Sequence, residues 1–137
     1  MTPISYLQFD GRCAEALTFY AQALGGKVLM MALYSDAPST VGVPTVPPHW
    51  VMHGRVGFPD GGMLMGSDGG PEPFQGYKGV SLSLSPKDLA SGEAVFKALS
   101  EGGEVRMPFQ STFWSPGFGT LVDKFGVPWM VNVDAPQ

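Results

Sequence analysis

Residues 16–28 read ALTFYAQALGGKV, and residues 93–105 read EAVFKALSEGGEV. At a constant offset Phe19 aligns with Phe96, Ala21 with Ala98, Gly25-Gly26 with Gly102-Gly103, and Val28 with Val105. Each copy has the spacing of an amphipathic helix, a Gly-Gly stop and the first residues of a strand. Working outward, ISYLQF (4–9) precedes the first copy and VSLSLS (80–85) the second, and both alternate with the period of two expected of strands. A strand–helix–strand unit written twice implies two pseudo-equivalent halves. Function is then expected where the halves meet.

The first helix is expected over about 12–24, with Cys13, Leu17, Tyr20 and Leu24 as its buried stripe and Gly25 as a left-handed cap. The second opens at Ser85-Pro86-Lys87-Asp88, where Ser85 can cap, Pro86 suits the first turn and Asp88 favours the helix dipole. Gly92 inside that helix costs about 1 kcal/mol relative to Ala, which predicts irregular early turns. Three more strands follow each helix: 27–34, 50–58 and 62–67, then 104–109, 112–122 (broken at Pro116-Gly117) and 127–133. Phe58-Pro59-Asp60-Gly61-Gly62 is a hairpin signal. The Pro-rich stretch 35–49 is long enough to act as a mobile lid. Residues 69–77 are the natural linker between half-repeats 1–68 and 78–137 of a single domain. The expected fold is α+β: two βαβββ repeats forming a curved eight-stranded mixed sheet with helices outside.

Composition narrows the function classes. The chain has 137 residues, 44% hydrophobic and 15% charged, with 19 glycines and 13 prolines in keeping with many turns. Net charge is -4 and the eight Lys and Arg residues form no stripe, so nucleic acid is excluded as a partner. No apolar run approaches the roughly 20 residues of a membrane helix, and no signal-peptide pattern follows Met1. Cys13 is the single cysteine. These features together predict a cytoplasmic protein.

Four local motifs, with FYAQALGG, carry a family resemblance: Met52-His53-Gly54, Gly66-Ser67-Asp68, Thr112-Phe113-Trp114, and Asp123 through Asn132 (DKFGVPWMVN). Over almost its whole length the chain resembles the PhnB-like branch of the vicinal-oxygen-chelate superfamily, which includes glyoxalases, extradiol dioxygenases and bleomycin-resistance proteins. The resemblance implies a cleft formed by two βαβββ halves, within a chain or between chains, and a homodimer. It also implies a divalent metal held by four residues on the first and fourth strands of each half. Carried over by spacing, those positions are Ser5, about Gly66, Ser81 and Met130, a poor donor set for a hard or borderline cation. No metal site is therefore expected. A methyltransferase label borne by some relatives finds no support either, because the first strand meets its helix through Asp10-Gly11-Arg12 alone, a poor cradle for a nucleoside.

Individual residues admit two readings each. His53 is a general base or an unorthodox metal ligand, or else a hydrogen-bonded strand histidine. Asp68 accepts a proton or orients His53, or else opens the Gly-rich turn after it. Asp123 reads as a turn residue. Cys13, close to a helix start, is either a reactive thiol or a packing residue. Trp114, Trp129 and their neighbouring phenylalanines line a pocket, or else fill a core or an interface. Two hypotheses follow, beside a third in which the chain is an interaction domain with no small ligand. The first is a small-molecule-binding protein holding a small hydrophobic or aromatic ligand in the cleft without metal, lined by Ser5, Leu7, Ser81, Ser83, Trp114, Trp129 and Met130. The alternative is a metal-dependent lyase, isomerase or dioxygenase-like enzyme using His53 and Asp68.

Overall fold

The first helix, α1, spans Cys13–Leu24, and the stripe Cys13, Ala16, Leu17, Tyr20 and Ala21 is its buried side. Leu24 is only half-buried, because Ala16 and Ala21 complete the apolar face. Gly25 takes φ 70° and ends the helix, its amide bonding to the Ala21 carbonyl. The strands of this half are β1 (Ser5–Phe9), β2 (Lys27–Leu33), β3 (Val51–Gly57) and β4 (Met63–Asp68). They form a mixed sheet in the order β1-β4-β3-β2, with β1 parallel to β4 and the other pairs antiparallel.

The second half repeats this plan with β5 (Leu82–Leu84), α2 (Leu89–Ser100), β6 (Glu104–Gln110), β7 (Gly117–Val122) and β8 (Pro128–Val133), in the order β5-β8-β7-β6. Again the outer pair β5–β8 is parallel and the rest antiparallel. This computed structural model describes residues 1–39 and 42–135. The chain divides into two compact units, Met1–Gln75 and Gly76–Gln137, so the division falls within the 69–77 stretch. The eight strands fall four and four, and each unit is a βαβββ fold of the α+β class.

In each unit one sheet face is packed by its helix and the other is not. In the first unit the packed face carries Leu7, Phe9, Gly54, Val56, Leu64 and Gly66. Two glycines pair across β3 and β4: Gly54 lets α1 approach closely, and Gly66 makes room for β1. A Cβ at residue 54 would fall 2.6 Å from Leu17 Cδ1 of the helix, and one at residue 66 would fall 2.9 Å from the Leu7 carbonyl oxygen of β1. In the second unit Leu99, Leu121, Trp129, Val131 and Val133 form the buried layer.

Three expectations need correction. Ser85 does not cap α2. Asp88 does, its Oδ1 accepting from the Ser91 amide at 2.7 Å, because a carboxylate directly before Leu89 reaches the free amides of the first turn. The helix is regular from Leu89, and Gly92 lies on its buried side. A Cβ there would sit 2.8 Å from Phe109 Cζ and 2.9 Å from Val133 Cγ2, so the glycine is a packing requirement. The strand expected over 112–122 begins only at Gly117. Residues 112–115 are a turn in which Thr112 and Ser115 bond each other, and Ser115 Oγ donates towards the carbonyls of Gly117 and Val133. In the 35–49 stretch, Tyr34–Asp36 form one 3-10 turn, and Ser35 and Trp50 tie the base of the loop to Pro48 and Pro47. Thr40 and Val41 of the expected lid lie outside the described residues.

Candidate functional site

A strand's alternate side chains point to opposite faces, so register decides which residues can reach a ligand. On β1 the packed side takes Leu7 and Phe9, at 5% and 2% exposure, which turns Tyr6 and Gln8 to the open face. β4 follows suit: Leu64, Gly66 and Asp68 face α1, and Met65 stands beside Tyr6 on the open face. On β3, His53 and Arg55 share that open face, being two apart in an extended strand.

The side chains of Tyr6, His53 and Arg55 meet there. β4 lies between β1 and β3, so Tyr6 leans across it to reach the imidazole. The rings stack with centroids 5.7 Å apart and 23° between planes. Tyr6 Oη lies 3.1 Å from His53 Nδ1, and Arg55 Nε donates to His53 Nε2 at 3.0 Å. A guanidinium is always a donor, so Nε2 must accept and the ring proton sits on Nδ1. Tyr6 Oη then accepts from Nδ1–H, and its own hydroxyl proton is left to point elsewhere. Sequence reasoning missed Tyr6 and Arg55. The signals were present: His53 and Arg55 are two apart in a strand, and the larger apolar pair Leu7 and Phe9 puts Tyr6 on the other side.

Asp68 has a different task. It is 1% exposed, and its Oδ1 accepts from the amides of Gly11 (2.8 Å) and Cys13 (2.9 Å) while Oδ2 accepts from that of Val51 (2.9 Å). The carboxylate thus ties the start of α1 and of β3 to the end of β4. It lies on the packed side of the sheet and does not orient His53. Burial first, and the Asp68 charge second, push the Cys13 thiol far above its ordinary value, so Cys13 is a packing residue. Asp123 does the same kind of work in the second unit: Oδ1 accepts from the amides of Phe125 and Val127, and Oδ2 from Trp129 Nε1 at 2.8 Å.

The remaining expected lining residues divide. Ser5 is exposed but shares the parity of Leu7, and Leu7 itself is buried. Trp129, at 3%, is buried on the packed side. By parity these three lie on the packed side of their sheets, opposite the face of Tyr6 in the first unit and of Met130 in the second. Ser83 pairs with Met130 on the open side of the second unit, where Phe118 and Thr120 of β7 join them through their pairing with Asn132 and Met130. Ser81 lies just before β5 and is exposed. Trp114 is 48% exposed and packs edge-on to Phe118, with centroids 5.3 Å apart, and to Phe113 at 4.7 Å. Concavities within the units include one of about 440 Å³ around the Phe58–Met63 hairpin, one of about 730 Å³ between α2 and β6, and one of about 540 Å³ beside Tyr34, Met52 and Pro71.

The superfamily's metal does not fit these residues. Ser5 and Gly66 face the helix, and the open-face neighbours that replace them are Tyr6 and Met65. His53 has both ring nitrogens engaged, one by a guanidinium that would repel a cation. No group of three or more His, Cys, Asp or Glu could hold a metal ion among the described residues. A nucleoside cradle does not fit the β1–α1 turn either, since the Gly11 and Cys13 amides are taken by Asp68.

Known proteins match this arrangement closely. The family model described as 3-demethylubiquinone-9 3-methyltransferase matches residues 2–132. Protein YjdN of Escherichia coli (strain K12) is 35% identical over 144 aligned positions, covering 98% of this chain and 97% of that protein. The crystal structure of protein PA1353 from Pseudomonas aeruginosa is similar with a TM-score of 0.88 and 41% identity, covering 98% of both chains. A PhnB protein from Bacillus cereus, described as a putative 3-demethylubiquinone-9 3-methyltransferase, shares the fold at a TM-score of 0.80 and 24% identity, covering 97% of this chain and 99% of that one. A glyoxylase/bleomycin resistance protein/dioxygenase domain from Frankia shares it more distantly, at a TM-score of 0.64 and 13% identity, covering 98% and 99%. With that match over residues 2–132 and the 35% identical relative, the chain belongs to the family described as 3-demethylubiquinone-9 3-methyltransferase, and its βαβββ units share the fold of the glyoxylase/bleomycin resistance protein/dioxygenase domain.

Proposed function

We propose that this protein binds a small, partly aromatic or hydrophobic molecule against its open sheet faces, without a metal, and works as a homodimer in a reducing compartment. The observation that carries the reading is the make-up of those faces. Each has an adaptable apolar lining, Met30 and Met65 in the first unit and Met130 with Phe118 and Trp114 in the second, beside a few fixed polar groups. Methionine and aromatic rings accept a ligand by dispersion and stacking, and the polar groups orient it. The family's methyltransferase description is not adopted for this chain, because the turn that would hold the methyl donor spends its amides on Asp68.

The homodimer rests on the exposed outer strands. Along β6, Val105 and Met107 are each 45% exposed on an edge of their sheet, a surface that favours pairing. Native mass spectrometry of protein purified in chelator tests both parts. The expected spectrum shows a mass of two 14.6 kDa chains carrying an organic adduct of small-molecule size. A bare monomer that acquires no adduct from an aromatic ligand library, with or without added Zn or Mn, would contradict the reading.

A further inference from the structure

We infer that the Tyr6–His53–Arg55 cluster is a recognition site for an oxyanion, so that the ligand of the open face carries a carboxylate or phosphate-type group. This rests on the proposed binding function and adds the chemical class of the ligand's polar end.

Three observations support it. The first is donor polarity. Arg55 Nε is spent on His53, which leaves the four N–H groups of its two terminal nitrogens with no protein acceptor among the described residues. His53 Nδ1–H is spent on Tyr6, which frees the phenol proton. Every group the cluster has left to offer a ligand is therefore a donor, and one carries a full positive charge. A neutral amide or alcohol would satisfy only part of this set; a carboxylate or phosphoryl group, acceptor-only and able to take paired bonds from a guanidinium, matches it.

The second is the missing counter-charge. The protein has 12 Asp and Glu residues against eight Lys and Arg, yet no carboxylate lies within salt-bridge distance of Arg55 among the described residues. Ion pairs among the described residues include Arg12 with Glu15 and Arg106 with Glu104. The third is preorganisation. Imidazole bonds to Nε and Oη hold Arg55 and Tyr6 towards one another, and the stacked ring restrains Tyr6 further, so little side-chain freedom is left to lose on binding. His53 is in this sense a positioning residue. Tyr6 remains 49% exposed and Arg55 is exposed, so a ligand can reach both. Met65, between them in register, offers the apolar contact that a ring attached to the anion would need.

Isothermal titration of the full chain with benzoate, phenylphosphonate, inorganic phosphate and neutral benzamide tests this. Benzoate or phenylphosphonate should bind at least about tenfold more tightly than benzamide, the usual worth of a charge-assisted hydrogen bond. Arg55→Gln should abolish that preference, and Tyr6→Phe should weaken the anions by about fivefold. Unchanged circular dichroism and melting temperature would show that both variants fold. A better fit to phenylphosphonate or inorganic phosphate assigns the phosphate type, and a better fit to benzoate the carboxylate type; either supports the site. Equal binding of benzoate and benzamide, or an anion preference that survives Arg55→Gln, overturns the oxyanion site while leaving the small-molecule reading standing. Binding of none of the four probes overturns the oxyanion site too, and the adduct seen or not seen in native mass spectrometry then decides the broader reading separately.

Discussion

Asp68 shows how a single residue's chemistry is decided by where its oxygens point. Three amides from two other segments converge on one buried carboxylate. Removing it leaves the Cys13 and Val51 amides unsatisfied in a buried place, at about 1–3 kcal/mol for each group. Asp68→Ala is therefore predicted to lose about 3 kcal/mol or more of stability by urea denaturation, whereas His53→Ala should change stability far less. A variant that keeps its urea midpoint would contradict the structural role. Cys13 sits under the same carboxylate, and its thiol is raised by burial first and by that charge second. Alkylation by iodoacetamide at mildly alkaline pH should be very slow in the native protein and fast in urea; fast native labelling would mean that the α1 start opens. In the sequence, Cys13 was legible as a packing residue from its stripe, but Asp68 was not. The amides it serves are 57, 55 and 17 residues away, and only the fold brings them together.

At the scale of elements, the strand and helix positions were largely legible because apolar periodicity and Gly-Gly stops are local signals. Face was harder. In β1 a shift of one residue exchanges Ser5 and Leu7 for Tyr6 and Gln8, and nothing within ISYLQF but the bulk of Leu7 and Phe9 says which side the helix takes. The turn before β7 was misread for a related reason, since the Ser115 side chain replaces ladder bonds with contacts to Gly117 and Val133. Gly92 tests the packing account of α2. Alanine there would gain about 1 kcal/mol in helix propensity, but overpacking against Phe109 and Val133 costs about 1–3 kcal/mol. Gly92→Ala should therefore lower the melting temperature, and a rise would show that the ring and methyl group yield freely. Asp88 gives α2 a pH dependence. Its carboxyl is held below the ordinary value, chiefly by the Ser91 amide, so its contribution is present above the unfolded value of about 3.9 and is lost as pH falls through the lower folded value. Asp88→Ala should lower stability at neutral pH and flatten its decline in acid; parallel acid titrations of the two proteins would contradict the cap.

At the scale of the molecule, the repeat in the sequence was the most reliable guide, because two copies of one helix–Gly-Gly–strand signal demand two like units, and the same strand order occurs in both. The candidate site was only half legible: His53 stood out as a rare residue, but its partners come from β1 and from its own strand and emerge only with the register. In the proposed function, ligand binds on the open faces and needs no metal. Methionine-methyl NMR with benzoate in the presence of chelator tests it most directly, since Met30 and Met65 stand on the open face of the first unit and Met31 lies beside Gly54 on the packed side. The predicted result is a saturable shift of the Met30 and Met65 methyls, with Met31 still. Shifts that appear only after Zn or Mn is added, or that centre on Met31, would contradict it.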